Sequence, residues 1–261
     1  MPSDLQASRE ARFEQLMQPH WTLLRGYVHR MVGVPVDAED LVQDIALKAL
    51  ERLESLRDDA AFRGWLMRLA TTTCIDHLRR KKRWHPHAQF HYEQRCAEDD
   101  ELRQQVVDAT RDPEFAYDVE EHLAFCFTCV GRSLAPEQAA ALMLREVLGL
   151  SNREAAHALE VTESVLRHHL SAGRRSMEEA FEGLCSLVSK EGICRQCAGF
   201  RSVTREDRRG PQLPVLHDAQ DPFQARLDRI TAKDFHGGRA RILHELMLTT
   251  LERLQSERAG S

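Results

Sequence analysis

Helical spacing dominates this chain and constrains its fold more than any other feature. Apolar residues recur at intervals of three and four along most of its 261 residues, whereas alternating β-branched runs bounded by turn residues are nearly absent. A chain of this length can form one or two domains with real hydrophobic cores. Aromatic residues make up only 6% and charged residues 30% of the sequence, which is typical of small helical modules. We therefore predict an all-α protein.

The clearest helix runs from Asp37 to Leu50 and continues to about Leu56. Asp37 is predicted to be its N-cap, with a second acid three residues later. Apolar residues every four positions give the helix one buried face. Beside that face lies a separate polar stripe, which a core helix does not need. This stripe is either a docking surface or an ordinary solvated face. The stripe consists of Asp40, Gln43, Asp44 and Leu47.

The predicted helices group into four segments, which we call the first module (10–90), the connector (91–114), the second module (115–184) and the extension (185–261). The first module contains a helix over 10–32 interrupted at Pro19, the helix described above, and a third helix over 62–83. Residues 93–121 hold eleven Asp or Glu and three Arg, so we predict a flexible or weakly helical acidic linker there. The extension is predicted to be mostly irregular over 198–238 and to end in an amphipathic helix over 239–255.

The second module contains the pattern of a helix-turn-helix. Ser151 and Glu154 form a capping box that starts a short helix, and Thr162 can cap a longer helix after a three-residue turn. A plain helical hairpin is the alternative. We favour DNA binding because the second helix carries an exposed polar and basic set, which is typical of a recognition helix. This set is Arg167, His168, Ser171, Arg174 and Arg175.

Five consecutive cations end the third helix of the first module. Such a run can bind phosphates, and the nearby Trp65 and Trp84 could stack on exposed bases. A solvated charged face is the alternative explanation. The net charge of −5 excludes a uniformly basic nucleic-acid binder, so any DNA contact has to be local. The run consists of Arg79, Arg80, Lys81, Lys82 and Arg83.

Two C-x-x-C pairs form a second group of interest among the seven cysteines. Four thiolates can hold a closed, structural zinc ion, so we predict a metal site, with Cys185 as a possible substitute ligand. A redox switch and buried free thiols remain alternatives. The predicted ligands are Cys126, Cys129, Cys194 and Cys197.

Enzyme motifs are absent from the sequence. It has no phosphate-binding G-x-x-x-x-G-K, no G-x-S-x-G and no H-E-x-x-H. Two C-x-x-C pairs provide neither an open metal position nor a general base, so we do not expect an enzyme. The sequence also lacks a secretion signal and an apolar run of membrane-spanning length, and we therefore expect a cytoplasmic protein without membrane contact.

These motifs, taken in order, resemble a known family. Residues 37–44, 62–66 and 75–80 resemble region 2 of the extracytoplasmic-function (ECF) sigma factors, and residues 134–175 resemble their region 4. The resemblance implies a protein that binds the core of bacterial RNA polymerase and directs it to promoters. It assigns the stripe on the helix after Asp37 to polymerase docking. A separate anti-sigma factor is a further possible partner, and a metal- or redox-responsive DNA-binding regulator that never joins polymerase is the alternative function.

The resemblance also assigns DNA contacts. The loop from Leu56 to Ala61, with Trp65 nearby, is expected to capture a flipped base of the minus-ten element. The basic run is expected to hold the promoter backbone, and the recognition helix should enter the major groove at the minus-thirty-five element. Thr72, Leu56 and Ala172 depart from residues frequent in the family, which leaves the preferred promoter sequence open.

Overall fold

Helices account for nearly all regular structure in the computed structural model, which describes residues 2–231 and 236–257. Residues 232–235 and 258–261 of the predicted extension lie outside the described residues. Two isolated β-bridges, Tyr117 with Arg209 and Cys185 with Cys194, are the extended pairings found in the described part. The all-α prediction is confirmed. The helices are α1 (Pro2–Met17), α2 (Trp21–Val32), α3 (Pro35–Glu51), α4 (Phe62–Arg80), α5 (Ala88–Glu98), α6 (Asp100–Arg111), α7 (Val119–Gly131), α8 (Pro136–Leu142), α9 (Asn152–Ala158), α10 (Glu163–Leu184), α11 (Gln196–Val203), α12 (Pro222–Ile230) and α13 (Arg241–Glu257).

The first module consists of α1 to α4. A 3₁₀ turn at Gln18–His20 separates α1 from α2, as the position of Pro19 predicted. The predicted N-cap of α3 is wrong by three residues: Val34 is the N-cap and Pro35 occupies the first turn, where its fixed φ and missing N–H suit a helix start. Asp37 therefore lies inside the helix, and its Oδ2 instead forms an ion pair with Lys81 Nζ at 2.9 Å.

The connector is ordered into helices, which differs from the flexible or weakly helical linker that its acidity indicated. The Asp99 side chain accepts a hydrogen bond from Leu102 N and caps α6. Tyr92 of α5 and Leu102 of α6 are buried in the common core. The acids of this segment therefore cap helices or occupy exposed faces, while its few apolar residues anchor it.

The second module contains the predicted helix-turn-helix. Both bonds of the Ser151–Glu154 capping box form at the start of α9, and the Thr162 hydroxyl accepts from Val165 N to cap α10. Between them Glu160 has φ of 57°, a left-handed conformation that non-glycine residues rarely adopt. This backbone reversal lets α10 follow α9 after a short turn.

The extension is more helical than predicted. It contains α12 and most of α11 within the range expected to be irregular, as well as the expected α13. α13 contacts α3, α5, α6 and α7, so it spans the first module, the connector and the second module. The Glu252 carboxylate accepts from Trp84 Nε1 at 2.8 Å, and Gln255 Oε1 accepts from His85 N at 2.9 Å. None of the helices described has the length and apolar character needed to cross a membrane.

Candidate nucleic-acid interface

The stripe on α3 is an exposed surface. All four of its residues are solvent-accessible, and Leu47 is 59% exposed although it is apolar. The opposite face, formed by Leu41, Ile45 and Ala49, is buried against the rest of the first module. Leu47 thus adds exposed apolar area to an otherwise polar stripe. The stripe is therefore exposed, and its role as a docking surface stays a prediction.

The recognition helix α10 presents most of its predicted DNA contacts to solvent. Arg167, His168, Ser171 and Arg175 are exposed. Arg174 differs, because its Nη2 donates to Asp221 Oδ2 at 2.6 Å and its guanidinium lies 4.9 Å from the centre of the Phe223 ring. The extension therefore occupies one of the five predicted contacts, which sequence spacing could not show.

The basic run splits into two groups. Arg80, Lys82 and Arg83 are exposed and have no ion pair with any residue that the structure describes. Arg79 Nη2 lies 2.7 Å from Glu137 Oε1, and Lys81 Nζ lies 3.5 Å from Glu252 Oε1 as well as close to Asp37. The bond to Glu137 is the main cause of the raised pKa of Arg79. Two of the five cations therefore already hold carboxylates of other segments.

Two aromatic or apolar side chains expected to contact DNA are buried instead. Leu56 is only 6% exposed because it closes the core beneath the loop before α4. Trp84 is 2% exposed, is bonded to Glu252 and lies 5.3 Å from the Arg132 guanidinium. Neither residue presents a surface to a base in this structure, so these two assignments are corrected.

Trp65 is half-buried and lines a cavity of about 330 Å³ on α4. Arg68 and Thr72 form part of the same wall, and Glu160 from the turn of the helix-turn-helix covers one side. Arg68 Nε donates to Glu160 Oε1 at 2.7 Å. A base-sized cavity therefore exists beside Trp65, but a carboxylate of the second module stands at its edge.

The two modules are packed against each other along α4 and α9. Arg68 pairs with Glu160, Arg79 with Glu137, and Arg63 Nη1 lies 3.9 Å from Glu154 Oε1. In each pair the first module supplies the cation and the second module the acid. The interface therefore uses cations of the face that is expected to meet DNA.

All seven cysteines are free thiols, and Cys126, Cys129 and Cys197 of the predicted ligand set are buried. Burial raises the pKa of Cys126, and the neighbouring thiols of Cys197, Cys194 and Cys129 raise it further. Burial also raises the pKa of Cys194 and of Cys197, and Cys185 adds to both shifts. Among the described residues, no three or more His, Cys, Asp or Glu side chains are arranged to hold a metal ion.

Three charged residues of the extension form contacts that no sequence pattern predicted. Asp221, Arg226 and Glu252 contact residues 47, 103 and 168 positions away, at Arg174, Leu123 and Trp84 respectively. No local pattern marks such contacts, because each acid or arginine looks like an ordinary surface residue of a polar segment. Only the packing of the extension reveals them.

Comparison with protein-family models gives two matches. The model described as Sigma-70 region 2 matches residues 16–84, and the model described as Sigma-70, region 4 matches residues 126–177. The first match covers α2, α3 and α4 with the basic run, and the second runs from the second half of α7 through most of α10. Both matches fall where the sequence resemblance placed them.

Individual relatives agree with these matches. The ECF RNA polymerase sigma factor SigG of Mycobacterium tuberculosis is 29% identical over 181 residues, which cover 65% of this chain and 49% of the relative. The RNA polymerase sigma-H factor of Pseudomonas aeruginosa is 26% identical, over 69% of this chain and 91% of the relative. This chain thus spans about half the length of the mycobacterial protein. With both regions present in order, the chain belongs to the ECF group of the sigma-70 family.

Proposed function

We propose that this protein is an RNA polymerase sigma factor, which binds core polymerase and directs promoter recognition and transcription initiation without catalysis of its own. The exposed stripe on α3 supports this proposal best. A DNA-binding regulator that acts alone has no need for an accessible leucine and two carboxylates on a helix whose other face is fully buried. The names of the similar proteins agree with this function.

Polymerase would dock on the α3 stripe. Leu47 supplies apolar area, while Asp40 and Asp44 supply negative charge that fits a basic partner surface and steers association. α3 is a suitable platform because its buried face fixes its position in the first module. Docking on this face leaves the recognition helix α10 accessible.

Promoter DNA would be bound at two places. The exposed residues of α10 would read base edges in the major groove at the upstream element. Exposed cations of the basic run would hold the backbone near the downstream element, and the cavity beside Trp65 would receive an unstacked base. The interactions gained in this cavity have to offset an unstacking cost of roughly a few kcal/mol.

Run-off transcription with purified core polymerase and a set of native upstream fragments tests the proposal. Asp44→Lys should reduce affinity for core polymerase and abolish specific transcripts, because it reverses charge within the stripe. Glu14→Lys is the matched control, since Glu14 is an exposed acid of α1 in the same module. Normal helical content in both variants shows that folding is intact.

Two outcomes would contradict the proposal. Wild-type protein that binds promoter fragments but never core polymerase would favour the alternative, a regulator that acts without polymerase. Equal polymerase affinity for wild type and Asp44→Lys would show that the stripe is only a solvated face.

A further inference from the structure

A second cavity lies between the connector and the extension, and we call it the connector cavity. It has a volume of about 780 Å³, which is the size of a small-molecule site, and helices α5, α6 and α11 form most of its wall. Among its described lining residues, none belongs to the α3 stripe, the recognition helix or the basic run. The function proposed above therefore gives this cavity no role.

Much of the wall of the connector cavity is apolar. Val106 and Val107 of α6 line it from one side, and Phe200 and Val203 of α11 line it from the other. Val203 is 67% exposed although it is apolar, so the fold leaves this side chain uncovered. A wall of this kind favours a ligand with a hydrocarbon body, because moving that body out of water lowers the free energy.

Two arginines lie at one end of the connector cavity, where α6 ends. Arg111 is the last residue of α6, and Arg208 Nη1 donates to the carbonyl oxygen of the next residue, Asp112, at 3.0 Å. Both arginines line the cavity, and neither forms an ion pair with a residue that the structure describes. A guanidinium binds a carboxylate through two parallel hydrogen bonds. This end therefore favours an anionic group.

The other end of the connector cavity, at the start of α11, has a different character. Gln196 Nε2 donates to Gln89 O at 2.9 Å, which places the start of α11 against α5. Tyr92 of α5 is 2% exposed, and its hydroxyl, beside the weakly accepting thiol of Cys96, has no conventional hydrogen-bond partner among the described residues. Glu93 Oε2 is buried there and also lacks such a partner. Buried polar groups are normally hydrogen-bonded, so this end favours a ligand hydroxyl over a second anionic group.

We propose that the connector cavity binds one molecule of a medium-chain hydroxy acid. Its carboxylate lies at Arg111 and Arg208, its hydrocarbon body lies between α6 and α11, and its terminal hydroxyl bonds Tyr92 and Glu93. The eight residues of α11 separate the two ends by roughly 12 Å, which suits an extended chain of this class. Because α6 belongs to the connector and α11 to the extension, the bound molecule fastens these two segments together.

Isothermal titration calorimetry of the full chain with ω-hydroxydecanoate, kept below micelle-forming concentrations, tests this site. We expect saturable binding of one molecule per chain. Decanediol with two terminal hydroxyls replaces only the carboxylate and should bind about tenfold more weakly, because the arginines lose their charged acceptor. Decanoate, which lacks only the hydroxyl, should also bind more weakly. Absence of saturable binding would overturn the proposal, and so would decanediol that binds as tightly as the hydroxy acid.

Two pairs of variants locate the binding. Arg111→Gln should weaken binding of ω-hydroxydecanoate about tenfold, whereas Arg103→Gln, at an exposed arginine of α6 outside the cavity, should not change it.

Val203→Glu should weaken binding at least about tenfold, because it places a carboxylate against the ligand. Its control is Val215→Glu, at a valine of the extension that is 62% exposed and lies outside the cavity. Equal affinities within either pair would overturn the assignment to this cavity. All four positions are exposed, so normal helical content is expected, and none of these measurements depends on whether the chain joins polymerase.

Discussion

Arg79 and Lys82 belong to one basic run but have different surroundings. Lys82 is exposed and has no ion pair with a described residue, whereas the Arg79 guanidinium is held by Glu137. We expect Lys82→Ala to weaken promoter binding and to reduce the slope of log affinity against log salt by about one unit. Arg79→Ala should change the slope less, because Arg79 already pairs with Glu137 in the free chain and the loss of this pair on DNA binding offsets part of the salt effect.

Salt titrations of promoter binding measure these slopes. Lys190→Ala, which removes an exposed lysine of the extension, is the control and should leave the slope unchanged. Equal slope changes for Lys82→Ala and Arg79→Ala would show that Arg79 does not pair with Glu137 in the free chain.

Arg167 and Arg174 provide a second comparison at this scale. Arg167 is exposed on α10, while Arg174 is bound to Asp221. We expect Arg167→Ala to lose about 1–3 kcal/mol of discrimination at the upstream element, and Arg174→Ala to lose less. Competitive binding to templates with either element mutated gives both values. A loss that is equal on all templates would make Arg167 a backbone contact.

At the scale of elements, α13 fastens the extension to the rest of the chain through Glu252. Its carboxylate binds Trp84 and lies 3.4 Å from Nη2 of Arg132, a buried arginine. We expect Glu252→Gln to lower the free energy of unfolding by about 1–3 kcal/mol, because a buried guanidinium loses its charged partner. Glu257→Gln, at the exposed end of the same helix, should change it by less than about 0.5 kcal/mol. Denaturant unfolding followed by circular dichroism measures both, and equal effects would contradict a special role for Glu252.

Local signals explain which elements were predictable. The caps at Ser151 and Thr162 lie within three residues of the amides they satisfy, so the helix-turn-helix was evident from the sequence. The α3 stripe was equally evident from its helical spacing. By contrast, the acidity of the connector concealed its helices, and the burial of Leu56 and Trp84 depends on packing against distant segments. Arg174 and Arg226 likewise acquire their roles only when the extension folds back.

At the scale of the whole molecule, the packing of the two modules bears on the promoter binding proposed above. Elements about 25 base pairs apart are separated by roughly 85 Å along the duplex. The contact between α4 and α9 holds the two DNA-binding surfaces side by side. On the promoter binding proposed above, we therefore expect the modules to separate and to lose the Arg63–Glu154, Arg68–Glu160 and Arg79–Glu137 pairs.

Weakening this interface should raise promoter affinity. We expect the double variant Glu137→Gln and Glu160→Gln to bind promoter DNA roughly threefold to tenfold more tightly, since two exposed ion pairs together contribute about 1 kcal/mol. Removal of negative charge alone could favour DNA, so the control is Glu14→Gln with Glu101→Gln, which makes the same charge change at exposed positions elsewhere. Equal gains in both double variants would mean that the interface does not limit binding.

The ionic character of the interface between the modules has a consequence for behaviour in salt. Added ions weaken the bonds that keep the two modules together as well as the bonds to phosphate. At low ionic strength these effects oppose each other, because every cation freed from an intramolecular carboxylate becomes available to the duplex. As salt is added, promoter affinity should therefore fall at first less steeply than the number of phosphate contacts predicts. It should fall steeply only at salt concentrations at which the modules are already apart. Modest changes in ionic strength should thus alter promoter affinity only slightly.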